Sequence, residues 1–384
     1  MRLLAFEGLR YTGKAGEAGD LAAPPYDQVN DAARDRFHAA SPYQFVHLTR
    51  PVVPAGAAGD PFHYAADLYR RWLADGIVAR DAEPSLYPYI IRLAAGGHRL
   101  GVMALVGHAP PSVIRPHEQT LDKPLAERLA LLEATHADLE PALLLAEDDG
   151  RLDALLAADF AAAQAAGRAP LVDYRDDDGN HHLLFRIDDP TRIAAYQQAV
   201  ADEPAAIADG HHRFKVSQRF AEAHHAAPGT TAAAKMAVIT SMQSSALTID
   251  PIHRALRQTI DPSRLAALRR SSQPFHPTGA TDTTTASADA STTATRTTAS
   301  ADAGNELARA VAAAPQPALG VWVAGQSPEI WLLENTAAAA AAGAAGPAPL
   351  VVEIFQDAIL PALGLQAEAA TDGTLVYRSN PAEL

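Results

Sequence analysis

"AAIADGHHRFKVSQRF", residues 205–220, runs from one kind of local structure into another. Residues 205–208 are small and apolar, as a short buried strand requires, and Asp209-Gly210 supplies a turn and a place for a helix to begin. The residues from His211 onward read as that helix. A strand feeding directly into a helix is a building unit of mixed folds, so the neighbouring segments decide how far the pattern extends.

They extend it in both directions. "LYPYIIRL" at 86–93 and "RLGVMALVGHA" at 99–109 are apolar strands joined across Gly96-Gly97, the pattern of a β-hairpin. "PFHYAADLYRRWLADGIV" at 61–78 places Phe62, Ala65, Ala66, Leu68, Tyr69, Trp72 and Leu73 at helical spacing before Gly76 stops the run. "LDKPLAERLALLEATHADL" at 121–139 is the clearest helix, with Asp122 able to cap it, Pro124 suited to its first turn, and Leu125, Leu129 and Leu132 on one face. Nearer the C-terminus, "ALGVWVAG" and "EIWLLEN" predict a second hairpin, "PLVVEIFQDAILPALGL" an apolar helix and "TLVYRS" a short strand. The expected class is α+β, that is, mixed α/β.

Two stretches break the pattern. "GATDTTTASADASTTATRTTASADAG", 279–304, has almost no large apolar side chains and cannot bury enough surface to offset its ordering entropy, so it reads as a disordered insertion. "NTAAAAAAGAAGPAP", 335–349, mixes helix-favouring alanine with opposing Gly and Pro. The expected organisation is a region over 1–278, the insertion at 279–304 and a small α/β part at 305–384.

Composition narrows the function classes. The 384 residues suffice for two domains, and 48% hydrophobic with 20% charged residues is a globular balance. A net charge of −14 argues against DNA as a partner, because a phosphate backbone is held by clustered Lys and Arg. The absence of cysteine removes disulfides, zinc–thiolate sites and thiol nucleophiles. The start, "MRLLAFEGLRYTG", lacks a secretory h-region and no run is long and apolar enough to span a bilayer, so no membrane association and a cytoplasmic location are expected.

The junction itself gathers a carboxylate, two imidazoles and a guanidinium. At a helix start, backbone N–H groups from Gly210 to Arg213 point outward and the helix dipole adds positive charge, which makes an anion site. Arg213 returns to the side of Asp209 one turn later, where its guanidinium is expected to bind phosphate; His211 and His212 diverge by about 100°. The same residues also suit a plain cap with the histidines in polar niches. A loop "VIRPHEQTLDKP", 113–124, concentrates Arg115, His117, Glu118, Thr120 and Lys123, with Glu118 suited to a general base or Mg²⁺ ligand; a solvated loop fits it equally. "APPYDQV" presents Tyr26 and Asp27 behind two prolines, either as a rigid turn or as a substrate contact. The pairs His181-His182 and His224-His225 lack zinc-binding spacing, and no Walker, nucleophile-elbow or dinucleotide motif is present.

Taken in order, "AAPPYD", "HLTRP", "RPHEQT", "IADGHHRF" and "LTIDPIHRAL" resemble the bacterial and archaeal family of domains of unknown function 1015. Its D-G-H-H-R element is similar to one in the ParB and sulfiredoxin superfamily, which includes ATP- or ADP-dependent kinases of free serine. The resemblance implies a ParB-like core in which Asp209, Gly210, His211, His212 and Arg213 bind nucleotide phosphates. It implies catalytic roles for His117, Glu118 and His212, with Glu118 as base or Mg²⁺ ligand. Tyr26, Asp27, Arg115, Arg128, His253 and Arg254 become substrate contacts. This chain stops at "YRSNPAEL" without the family's usual Pro-, Lys- and aromatic-rich tail. The expected activity is phosphoryl transfer to a small hydroxylated metabolite, with a nucleotide or phosphometabolite sensor as the alternative, and Mg²⁺ with ATP or ADP as cofactors.

Overall fold

The alternation of strand and helix is realised in a computed structural model, which describes residues 1–56, 59–116, 122–247, 253–256, 260–264, 273–275, 311, 318–321, 329–332, 359–365 and 375–378. The chain divides into two compact units, Met1–Leu247 and Thr248–Leu384, earlier than the boundary at 278 read from composition. The strands of the first unit are β1 (Leu3–Leu4), β2 (Leu9–Tyr11), β3 (Val78–Arg80), β4 (Tyr87–Arg92), β5 (His98–Gly107), β6 (Ile114–Arg115), β7 (Ala142–Ala146), β8 (Val172–Arg175), β9 (His181–Leu184), β10 (Ala205–Asp209) and β11 (Ala234–Ser241). Its helices are α1 (Ala18–Leu21), α2 (Asp31–Ala40), α3 (Val46–Thr49), α4 (Pro61–Ala74), α5 (Asp122–Thr135), α6 (Arg151–Ala165), α7 (Pro190–Val200) and α8 (His211–Ala223).

Most of these strands form one mixed sheet in the order β6-β10-β7-β11-β5-β4-β9-β8, with β1 also paired to β5. The β4–β5 hairpin is antiparallel, as its Gly-Gly turn requires, whereas β6–β10 and β7–β11 are parallel. The apolar character of β5 and β11 explains their central place: Val102, Ala104, Val106, Ala237 and Ile239 are completely buried. Leu152 and Leu156 of α6, Tyr196 and Val200 of α7, and Phe214 of α8 complete this core.

A second, smaller core lies under α4. Asp60 accepts from the amides of Phe62 and His63, Pro61 opens the helix, and Gly76 ends the run at φ 65°, a backbone angle costly for other residues. Trp72 packs there with Leu48, Ala65 and Leu131, so Trp72→Ala would cost about 3–5 kcal/mol. Leu73, expected on the same face, is instead 37% exposed, since it follows the buried Trp72 by about 100° around the helix. Helix α5 begins at Asp122 itself, with Pro124 in the first turn. It joins α4 to α8, and α8 in turn packs on β7 and β11.

The register of β10 against β7 decides how α8 begins. Ala205, Ala206 and Ile207 oppose Ala146, Leu145 and Leu144, but the next partner of Leu143 is Asp209, so Ala208 is an extra residue. Such a bulge re-aims the side chains that follow it.

In the second unit, β12 (His253–Leu256) pairs with β16 (Leu375–Arg378), and β13 (Gln273–Phe275), β15 (Glu329–Leu332) and β14 (Ala318–Val321) form an antiparallel sheet. The expected second hairpin and last strand are thus present. Of the expected helix at 349–365, a helical turn at Leu360–Ala362 is described. The insertion at 279–304 and the alanine tract lie outside the described residues. Among the described residues no helix is long and apolar enough to cross a membrane.

Candidate functional site

Gly210 stands at the N-cap of α8 with φ 85°, and no side chain caps the helix. The expected cap by Asp209 is therefore corrected: Asp209 ends β10, and its carboxylate takes the guanidinium of Arg213 four residues on. The cause is the spacing. One helical turn returns Arg213 over Asp209, and opposite charges at that separation close on each other before either reaches outward. Arg213 also donates to the Pro141 carbonyl, and it is only 7% exposed. Both terminal nitrogens of Arg213 thus make bonds within the protein, to the Pro141 carbonyl and to Asp209. A side chain on Gly210 would sit 3.0 Å from the Arg213 guanidinium carbon and 3.2 Å from the Ala142 Cα, so this position has no room for one. His211 is buried and His212 half-buried, which makes His212 the imidazole nearer solvent.

Tyr26 and Asp27 come to this same place from a 3-10 turn at Tyr26–Gln28. The Tyr26 amide donates to Glu140 Oε1 at 2.8 Å, and Arg128 of α5 lies over the Tyr26 ring with its guanidinium carbon 4.2 Å from the centroid. Arg128 is anchored by a 2.7 Å bond from Nη1 to the Thr49 carbonyl. Desolvation by the surrounding protein raises the Asp27 carboxyl above the usual range; Arg213 pulls it back and Asp209 pushes it further. Glu140 is raised as well, first by desolvation, against the lowering pull of the Tyr26 amide and of Arg213 and Arg128. The phenol of Tyr26 is pushed up to about 12, mainly by burial.

Behind them lies Lys235 of β11, only 2% exposed, its ammonium held by Asp138 and by the Glu140 carbonyl at 2.6 Å. Burial lowers its pKa against the pull of Asp138. Arg128, Arg213 and Lys235 line a cavity of about 40 Å³, room for little more than water. The order of motifs that converges here agrees with a match of residues 3–316 to the family described as "Protein of unknown function (DUF1015)". The chain belongs to the DUF1015 family. No curated protein matches it, and no solved structure does.

Of the remaining DUF1015 motif positions, Arg115 falls elsewhere in the first unit. Arg115 pairs with Glu147 at 3.1 Å, beyond the far end of β7 from Asp209, because β6 aligns Arg115 with Ala206 near the start of β10. The structure thus does not bring it to the head of α8. His117 and Glu118 lie outside the described residues, and His253 and Arg254 occupy β12 of the second unit, opposite Arg378 and Tyr377. The other histidine pairs serve local bonds: His181 meets Asp173 at 2.6 Å, His182 meets Asp176 at 2.9 Å, and His224 meets Glu133 at 2.8 Å. Glu140, Asp138 and Lys235 were not among the expected site residues. Their signals are readable in retrospect as two carboxylates just before an apolar strand in "HADLEPALLLA" and a lone lysine inside "AAAKMAVITS".

Proposed function

We propose that this DUF1015 chain is a cytoplasmic, nucleotide-dependent phosphotransferase that passes phosphate from ATP or ADP to a small hydroxylated metabolite such as serine. The observation that carries the reading is Asp27, a carboxyl raised by its surroundings and influenced by Arg213, Asp209 and His212 at the head of α8. A helix start of this length attracts a phosphate, and a more basic carboxylate is suited to take a proton from an attacking hydroxyl. In the transfer, the hydroxyl oxygen bonds to the terminal phosphorus while its proton passes to Asp27. The bond to the bridging oxygen breaks, and its electrons stay on the departing nucleotide. His212 borders the phosphate, and Arg213 holds the junction in shape through Asp209 and the Pro141 carbonyl.

Mg²⁺ supplies charge neutralisation in reactions of this kind. Among the described residues no group of three or more His, Asp or Glu is placed to hold a metal. Asp209 is paired with Arg213 and Glu140 with the Tyr26 amide, the expected ligand Glu118 lies outside the described residues, and no step is routed through the ion. The test is incubation of the full chain with terminally labelled ATP or ADP, Mg²⁺ and a panel of small alcohols including serine. Labelled product is expected, reduced about 10²–10⁴-fold by Asp27→Asn while nucleotide still raises the melting temperature. Unchanged nucleotide and no thermal shift across the panel would defeat the proposal. The inward engagement of Arg213 favours one second reading, a sensor that binds nucleotide without turnover. Binding without product in the same assay supports that reading.

A further inference from the structure

We propose a second ligand site, sharing no residue with the head of α8 and going beyond the reading given above: the pocket between α6, β4 and the start of α7 takes a flat ring bearing one negative charge, the class of an aryl carboxylate. The cavity measures about 240 Å³. A dry cavity of about 150 Å³ suffices for benzene, so this one admits a ring with a substituent. Its inner wall is apolar, formed by Pro88 and Ile90 of β4 with Phe160 and Phe185, whose rings meet edge to face at 6.0 Å and 61°. An apolar wall with a few fixed polar groups at the mouth is the usual make-up of a small-molecule site.

The charged groups at the mouth are already locked, with one exception. Arg192 Nε bonds both oxygens of Asp159 at 2.8 and 2.9 Å, and its Nη2 donates to the Leu155 carbonyl at 3.1 Å. Arg186 holds Asp188 at 2.9 Å, and Asp189 caps α7 by accepting the Arg192 amide at 2.8 Å. Arg168 stands just past the end of α6, its amide bonded to the Ala163 carbonyl at 2.9 Å. Its guanidinium has no hydrogen-bond or ion-pair partner among the described residues. The pairs Arg192–Asp159 and Arg186–Asp188 fix the shape of the mouth and cancel one another's charge, while the Asp189 carboxylate is turned to the first turn of α7. Arg168 is left as the cation a ligand can meet, which calls for a single negative charge attached to a body that fills the apolar wall.

The probes are benzoate, its neutral counterpart benzamide, and acetate, which carries the charge without the ring; binding to the full chain is read by calorimetry. Benzoate is expected to bind, benzamide about three- to tenfold more weakly, and acetate not measurably. Arg168→Gln should lower benzoate to the level of benzamide. Ala162→Trp, made at an exposed α6 position lining the pocket, should abolish binding of both rings. Ligand-free melting temperatures of both variants should match the parent, because neither side chain is part of the core. Absence of benzoate binding, equal affinity for benzamide, or binding that survives Ala162→Trp would each overturn the proposal. Loss of phosphoryl transfer leaves all of these measurements unaffected.

Discussion

The head of α8 and the pocket beside α6 divide charge and space in opposite ways. At the first, the cations Arg128, Arg213 and Lys235 and the carboxyls Asp138 and Glu140 surround a cavity of about 40 Å³, and their bonds turn inward to one another and to backbone carbonyls. At the second, about 240 Å³ of room is bounded by an apolar wall, and the charges stand at the mouth. A dense run of functional residue types thus marks where electrostatic bonds concentrate, and a ligand must work on its outer surface. Room for a ligand arises where separate segments meet without a motif.

That contrast predicts unequal sensitivity to substitution. The largest effect is expected from Asp138→Ala, which leaves the ammonium of fully buried Lys235 without its carboxylate and should cost about 3–5 kcal/mol in urea denaturation. A loss below about 1 kcal/mol would mean the pair is not the lock described here. Gly210→Ala comes next, at about 1–3 kcal/mol, since φ 85° and the crowding by Arg213 and Ala142 both oppose a methyl group.

Glu140 adds a pH dependence of defined sign. Its folded-state pKa is raised by desolvation, so the folded protein binds this proton more tightly than the unfolded chain does. Stability should therefore fall as pH rises from the ordinary carboxylate range through the raised value. Glu140→Gln is expected to flatten that decline and to gain on the order of 1 kcal/mol above it, as followed by melting temperature against pH. A parent and variant with parallel profiles would remove Glu140 from the list of strained groups. The smallest effect belongs to the charges that face water: Arg168→Ala and Arg115→Ala should each change stability by less than about 1 kcal/mol, even though Arg115 pairs with Glu147.

Local structure was legible wherever the period was strong. The β4–β5 hairpin, helix α4 with its Asp60-Pro61 start, and the passage from β10 into α8 all follow from alternation, capping and turn chemistry within a few residues. The pairing of Asp209 with Arg213 was legible as proximity, but not its direction, because spacing says that two groups meet and not whether a third joins them. The approach of Asp27 to Arg213 spans most of the first unit and was indicated only by the family resemblance. Lys235 is a lone cation in an apolar strand, a signal the sequence reading did not take up, and its partners come from the segment before β7. The pocket beside α6 left no trace at all: its walls come from β4, α6 and the residues around α7, and no period links them.

The extra residue at Ala208 sets a counting rule for the whole junction. Because β10 gains one position on β7 just before Asp209, the motif is phased to the bulge and not to the strand. Removing Ala208 would keep every letter of D-G-H-H-R and restore an unbroken ladder. It would also straighten β10 just before Asp209 and so change the angle at which the chain enters α8. In a search of sequences, two chains with identical motifs can thus differ in what they present to solvent by the presence of one alanine, and a gap at this column is a change of meaning where a substitution is only a change of side chain.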